Sequence, residues 1–408
     1  MHSTHHDVLV AGGGIGGLAC ALSMGLAGVP VTVLEQAGEF AELGAGIQLG
    51  PNAMRVLSDW GLAAPLRSIA SYPDDLSVRD ALDGRELGRL RLGATALARF
   101  GQPYACVHRA DLHRLLRDAL HDRTPATLRL RARVQGFDVQ SGGVRVSLDE
   151  GPGLSGMALI GCDGLWSRVR EGLLGAGPAC FTGHLAYRGL IPVDSVGRTS
   201  RSNSVQVWLG ARMHVVAYPV RDGKWINLVG VVHGRLDEGD GSEGARRWTR
   251  EARLEDLLVA TGPVAANLRD LIDAVPDWTR WALHDRPEMR GPSEQARGPI
   301  ALLGDAAHPL RPYLAQGAAM AMEDAWTLGQ LIARPHAEID WSALFAEYAA
   351  TRWKRNARVQ RMSQRNGRIY HARGLLRLAR NAGLRLLGER ALVNRWLYSG
   401  PPELHAWP

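Results

Sequence analysis

DVLVAGGGIGGLACALSMGLAGVPVTVLE, residues 7–35, is the stretch on which the fold turns. Val8 to Val10 is a short apolar run that reads as a buried parallel strand. Gly12, Gly14 and Gly17 follow in the order G-x-G-x-x-G. The first allows a tight turn off the strand. The second lets the backbone approach a pyrophosphate, and the third lets helix and strand pack closely. Leu18 to Leu26 reads as a helix rich in strong formers. Free N–H groups at its N-terminus suit a phosphate. Val31 to Leu34 is a second strand, and Glu35 ends it. That acid stands roughly 20 residues past the glycines, where a carboxylate meets a ribose hydroxyl. Strand, glycines, helix, strand and acid fall in register, which a glycine-rich turn in an unrelated protein does not supply. The acid argues for an adenosine ribose without a 2′-phosphate. FAD and NAD both satisfy this, and the motif does not separate them.

Outward from this unit, composition sets bounds. The 408 residues are 46% hydrophobic and 22% charged, a globular balance with enough chain for two cores. No apolar run reaches the length of a membrane span. The N-terminus, MHSTHHD, lacks a basic region followed by an apolar block, so no signal peptide is expected. Its histidines read as a solvated tail, and no metal site is expected. Cys20, Cys106, Cys162 and Cys180 form no C-x-x-C pair, which argues for a reducing, cytoplasmic compartment and against disulfide reductases. The formal charge is +7, with much of the arginine between Arg352 and Arg395 on helical sequence. It reads as a solvated face, with a phospholipid-contacting surface as the minority reading. No recognition motif for nucleic acid accompanies it.

After Glu35, the glycines of LGAGIQLGPNAMRVL permit a loop folded close to a ligand, and Pro51 suits a helix start. Leu76 to Leu92 alternates around Asp83-Gly84, a hairpin signal. Arg109 to Leu120 is an amphipathic helix. Strand runs near Leu128 to Arg133, Val144 to Leu148 and Met157 to Ile160 lead to Gly161-Cys162-Asp163-Gly164. From Gly183 to Val232 the runs GLIPV, SVQVWLG, HVVAYPV and WINLVGVV predict an inserted antiparallel sheet. Ala245 to Val275 returns to helix. Pro299 to Leu303 is a further buried strand, running into Gly304-Asp305. Leu314 to Ile332 is a long helix, and the chain from Trp341 on is helical.

The glycine loop, Cys162-Asp163 and Gly304-Asp305 each follow a buried strand, and ligands of open α/β sheets bind at those strand ends. Each Asp alone is a helix cap or turn residue. Their joint occurrence points to a ligand with ribose or ribityl hydroxyls.

With those segments in view, the chain resembles the group A flavoprotein aromatic hydroxylases, over nearly its whole length. The likeness rests on the glycine loop with Glu35, LGAGIQLGPNAMRVL, HRADLHRLL, IGCDGLWSRVR and LLGDAAHPLRPYLAQGAAMAMEDA. The branch is that of salicylate hydroxylase, 3-hydroxybenzoate 6-hydroxylase and 6-hydroxynicotinate 3-monooxygenase. The resemblance implies a fold like that of para-hydroxybenzoate hydroxylase. This is an α/β protein with a Rossmann-like FAD-binding domain, an inserted antiparallel-sheet substrate domain and C-terminal helices. The expected division is 1–75, 101–180 and 288–335 for the FAD-binding domain. Residues 76–100 and 181–287 form the substrate domain, and 336–408 the helices.

It also implies FAD, NAD(P)H as co-substrate with NADH favoured, and O2. The reaction implied is hydroxylation of a phenolic or hydroxypyridine-type acid through a flavin hydroperoxide. Gly12, Gly14 and Gly17 would approach the pyrophosphate. Glu35, with Gln36 beside it, would bind the adenosine ribose. Arg109 would bridge towards the phosphates or ribityl chain, and Asp305 would hold the ribityl side. Gly317 and Ala318 would offer backbone N–H groups to the flavin ring. Asp163 would act through structure more than direct contact.

His214 and Tyr218, in HVVAY, are the candidate catalytic pair. A spacing of four on a strand puts both on one face. A phenol's pKa of about 10 and a histidine's of about 6.5 let a positioned imidazole draw the substrate's proton. Read from spacing alone, both are equally core residues. Gln48 and Pro312 are the expected pocket residues. Both depart from the family: Gln48 stands where the hydroxynicotinate enzymes have histidine, and Pro312 where the hydroxybenzoate enzyme has a catalytic glutamine. Arg311 and Arg188 read as solvated or FAD-side residues rather than partners of a substrate carboxylate. His308 reads as a loop residue near the flavin. Alternatives are a hydroxylase of a larger polycyclic or natural-product ring, and a non-catalytic FAD-binding protein. Homodimerisation through the late helices is left open.

Overall fold

The computed structural model describes residues 7–40, 46–175, 177–197, 201–236, 250–335 and 338–401. Its first layer is a six-stranded sheet in the order Ala296–Arg297, Ile300–Leu302, Ala158–Gly161, Val8–Ala11, Val31–Leu34, Thr127–Arg129. The pairs are parallel except at the Ala296–Arg297 edge. Val8–Ala11 is buried at every position, as a central parallel strand covered on both faces must be. The helix Ile15–Leu26 lies against the long helix Gly317–Ile332. Small residues allow this closeness: a Cβ at Gly329 would meet the Ser23 side chain and backbone.

The second layer is an eight-stranded sheet. Its order is Arg250–Ala252, Trp278–Asp285, Cys180–Pro192, Trp225–His233, Met213–Val220, Ser204–Leu209, Asp75–Asp80, Glu86–Arg91. The hairpin strands Asp75–Asp80 and Glu86–Arg91 pair at the edge of the sheet formed by the 180–285 segment. One pair departs from the expected antiparallel pattern: Ser204–Leu209 runs parallel to Asp75–Asp80. These strands belong to distant parts of the chain, so no hairpin dictates their direction. One face packs Tyr187, Val215, Leu228 and Val232 against Leu257, Leu268 and Ile272 of two short helices. The opposite face carries His214 and Tyr218.

Between the layers sits a small sheet of Gly46–Leu49, Ala105–His108 and Ala70–Ser71, which was not anticipated. The helical expectation over 245–275 holds for Leu254–Thr261 and Ala266–Asp273. Arg250–Ala252 is a strand, and 245–249 lie outside the described residues. Behind everything runs the 30-residue helix Trp341–Tyr370, capped by Asp340 through Ser342 N and Ala343 N. Among the described residues no helix is long and apolar enough to cross a membrane.

Candidate active site

The glycines of the first turn do three different jobs. Gly12 sits at φ +100°, and a Cβ there would lie 2.5 Å from the Cys162 carbonyl oxygen. A Cβ at Gly17 would run into the Gly12 carbonyl oxygen, so this glycine lets the helix pack back on the turn. Gly14 is the opposite case: a Cβ there would meet no protein atom within 4 Å. Its open side faces a cavity of about 300 Å³ lined by Gly12, Gly14, Glu35, Gln36, Arg109 and Asp163, among others. Glu35 accepts hydrogen bonds from Gly13 N at 2.6 Å and Ala37 N at 2.8 Å. Its carboxylate thus ties the second strand to the glycine turn. Gln36 is exposed at the rim, where Arg133 donates to its Oε1 at 3.0 Å.

Asp163 accepts from Ser167 Oγ at 2.5 Å, Arg168 N at 2.7 Å and Val169 N at 3.2 Å. It anchors the start of the helix Arg168–Leu174, which agrees with a role through structure. Burial nevertheless holds its carboxyl above the usual range, against those hydrogen bonds.

Asp305 lies in a second cavity of about 170 Å³, with Trp166, Trp281, Leu310 and Pro312 on its walls. Leu165 and Trp166 line both cavities, so the two are neighbours along one groove. Burial raises the Asp305 carboxyl, while the charges of His308 and Arg109 oppose the rise. Glu35, Arg109 and Asp305 are thereby brought to the same groove. His308 is buried, with Nε2 2.5 Å from Asp324 Oδ2. Gly317 and Ala318 open the long helix, with Gln316 as its N-cap. A Cβ at Gly317 would meet nothing within 4 Å, so backbone N–H groups there are approachable.

Arg311 and Arg188 are each engaged within the protein, and the charge of Arg188 also reaches Tyr218. Arg311 Nε donates to Asp285 at 2.8 Å, and the Arg188 guanidinium stacks 4.3 Å over the Trp281 ring.

Tyr218 is buried with Tyr104, Cys106 and Met320, and Leu310, Leu314, Leu190 and Val216 pack on the same cluster. This cluster joins the second sheet to the start of the helix Gly317–Ile332. Tyr104 donates to Gln48 Oε1 at 2.7 Å, and Gln48 also hydrogen-bonds Tyr218. Burial pushes the Tyr218 hydroxyl up, so it stays a neutral donor. The Gly46 loop is clamped here, its N–H donating to Asn227 Oδ1 at 2.7 Å. A Cβ at Gly46 would lie 2.5 Å from the Tyr218 ring. Pro312 is exposed and lines the Asp305 cavity.

His214 is buried, with Nδ1 2.8 Å from His371 Nε2. Burial, with His184 nearby, takes its pKa down to about 3. The imidazole is therefore neutral at neutral pH. Sequence reasoning did not single out His371, Tyr104, Asn227 or Tyr370. Each comes from a segment remote from the strand it meets, and residue type alone carries no signal of that meeting.

The two-cavity groove and the open Gly14 and Gly317 positions fit a dinucleotide-binding protein. The chain belongs to the FAD binding domain family, whose model matches residues 5–364. It is similar to the 3-hydroxybenzoate 6-hydroxylase of Polaromonas naphthalenivorans, with 40% identity over 375 residues, covering 92% of this chain and 90% of that one. The 6-hydroxynicotinate 3-monooxygenase of Bordetella bronchiseptica is 35% identical over 363 residues, covering 88% and 91%. Among solved structures, Klebsiella pneumoniae HpxO complexed with FAD and uric acid superposes with a TM-score of 0.84 at 25% identity, covering 98% of each chain. FAD is the cofactor.

Proposed function

We propose that the protein is a FAD-dependent monooxygenase that consumes NAD(P)H and O2 and hydroxylates a phenolic or hydroxypyridine-type acid. One observation carries the reading. His214 and Tyr218 share one face of the second sheet, both buried, and Tyr218 packs in one cluster with Met320 of the helix expected to hold the flavin ring. The names of the similar hydroxybenzoate and hydroxynicotinate enzymes support the substrate class.

Bound FAD supplies two-electron reduction by a nicotinamide and delivery of one oxygen atom of O2 to the ring. The chain's own residues supply the rest. Gly12, Gly14 and Gly17 give the pyrophosphate its approach. Glu35 meets the adenosine ribose with Gln36 beside it, and Arg109 and Asp305 hold the ribityl side. Gly317 and Ala318 turn backbone N–H groups and the positive helix end towards the ring. The apolar walls around Tyr218 exclude water from the reacting atoms. Tyr218 orients the substrate's hydroxyl, with Gln48 fixing the tyrosine. His214 takes the hydroxyl proton and passes it to His371, which lies beside the exposed His233. Pro312 shapes the cavity on the Asp305 side.

The test is a panel of hydroxybenzoates and hydroxynicotinates mixed with FAD-loaded protein and NADH. One ring should accelerate NADH oxidation and appear as hydroxylated product. Flavin that binds while no aromatic stimulates oxygen uptake would leave a non-catalytic flavoprotein.

A further inference from the structure

We propose that His184, His233 and His371 form a binding site for a divalent transition cation, with Zn2+ as the type ion. Their ligand nitrogens all lie within 4.8 Å of one another. His184 and His233 face each other across paired antiparallel strands, with Nε2 atoms 3.2 Å apart. A tetrahedral zinc with bonds of 2.0–2.1 Å puts neighbouring ligand nitrogens roughly 3.3 Å apart, so this pair already spans one edge of such a site. His371 follows the long helix Trp341–Tyr370 and brings the third imidazole, which must close by up to about 1.5 Å, from within 4.8 Å to roughly 3.3 Å.

The tautomers agree with the assignment. His371 Nε2 is engaged by His214 Nδ1 at 2.8 Å, while His371 Nδ1 is buried and has no hydrogen-bond partner. His371 itself is only 6% exposed. A ring whose Nε2–H donates to His214 offers its Nδ1 lone pair, the usual outer-partner arrangement of a metal-binding histidine. His184 is held likewise, with Nδ1 3.3 Å from Thr182 Oγ1, leaving Nε2 inward. His233 is exposed, which gives an entry path and room for a fourth ligand from solvent.

A metal-free account makes His184 and His233 a simple N–H···N pair. That account leaves the buried His371 Nδ1 without a partner, which costs about 1–3 kcal/mol. Burial lowers all three imidazoles, His184 to about 4 and His371 to about 2, so all are neutral ligands at neutral pH. Arg311, Arg212, Arg373 and Arg380 act on them in the same direction. These cations oppose a bare dication and favour an anion, such as hydroxide or a carboxylate, as the fourth ligand. The ligands belong to the second sheet and the C-terminal helix, and a bound ion holds His371 as its Nε2–H tautomer, so metal binding and proton transfer from His214 to His371 exclude one another.

The experiment is a Zn2+ titration of chelator-treated, FAD-loaded full chain. The background carries His2→Ser, His5→Ser and His6→Ser, so the tail contributes no imidazole. One Zn2+ per chain should bind with a Kd of micromolar order or tighter, about −8 kcal/mol. His233→Ala and, separately, His184→Ala should weaken it at least about tenfold. Flavin content and thermal midpoint should hold for the exposed His233 variant. Co2+ should give the intense visible bands of a four-coordinate ion. A Kd above about 100 µM, roughly −5.5 kcal/mol, means an adventitious ion only and overturns the site. So does a loss under about tenfold in both variants.

Discussion

His214 Nδ1 and His371 Nε2 stand 2.8 Å apart, joining the middle of the second sheet to the end of the 30-residue helix. The two residues are far apart in sequence, and both rings are buried and neutral. A neutral pair passes a proton by exchange of roles without storing charge. His214→Ala should therefore keep FAD and lose coupled product by about 10²- to 10⁴-fold, the usual contribution of a positioned proton acceptor. Product formed per NADH consumed is the measurement. Full coupling in this variant would remove His214 from the chemistry.

His371→Asn should behave differently if it is the onward partner. Asn keeps a polar group at the helix end but neither stores nor relays a proton. Flavin reduction should be unchanged, while the hydroxylation rate falls. Stopped-flow traces at several pH values separate the two half-reactions.

The same burial sets a pH dependence of stability. An unfolded histidine has a pKa of about 6.5. His214 is taken down to about 3 in the fold. Below pH 6.5 the unfolded chain binds a proton that the folded one refuses, so stability falls as pH drops. The loss runs from pH 6.5 towards the folded value and is absent above 7. For His214 alone it amounts to about 1.4 kcal/mol per pH unit. Urea midpoints at pH 7.5 and 5.5 should therefore differ in the native protein and differ by less in His214→Phe, where His184, His233 and His371 still contribute. Equal midpoints in the native protein would place charge-tolerant surroundings around the ring.

Gly14 and Gly17 should separate ligand space from packing space. Gly14→Ala meets no protein atom within 4 Å, so the FAD-free chain should keep its thermal midpoint. The methyl group would intrude where the pyrophosphate approaches. FAD affinity should drop at least about tenfold, or 1.4 kcal/mol. Gly17→Ala strikes the Gly12 carbonyl and should cost about 1–3 kcal/mol with or without FAD. Paired calorimetry and flavin titration on both variants decide it.

The legible part of this molecule is what local physics dictates. Val8–Ala11 and the helix after the glycine turn are read from period and glycine sterics, and both form. The hairpin around Asp83-Gly84 is fixed by its turn. Illegible were contacts between segments distant in the chain. The Gly46–Leu49 strand is too short and glycine-rich to announce itself, and it exists through pairing with Ala105–His108. The parallel pairing of Ser204–Leu209 with Asp75–Asp80 has no local determinant. His184, His233 and His371 look unrelated in sequence, and only the meeting of sheet and helix makes them a cluster.

The ion-pair network under the flavin-side helix supplies the last prediction. Glu323 and Asp324 are fully buried, as is Arg352. Arg352 donates to Asp324 Oδ1 at 2.8 Å and Glu323 Oε2 at 3.0 Å, and Arg355 donates to Glu323 at 2.6 Å. Asn52 links Glu323 to Gln316, the cap of the helix that begins at Gly317. Asp324 also meets His308 and the Gly304 N–H, so the same network holds the turn that carries Asp305. Burial pushes the Asp324 carboxyl up, but His308 and Arg352 overcome it and hold it near 2. Arg352→Met keeps much of the volume and strands part of the negative charge. Breaking one side of a buried pair typically costs about 3–5 kcal/mol. Urea unfolding should show a loss of that size, together with weaker FAD retention. If the midpoint shifts by less than about 1 kcal/mol, Arg355 and Asn356 carry the carboxylates unaided.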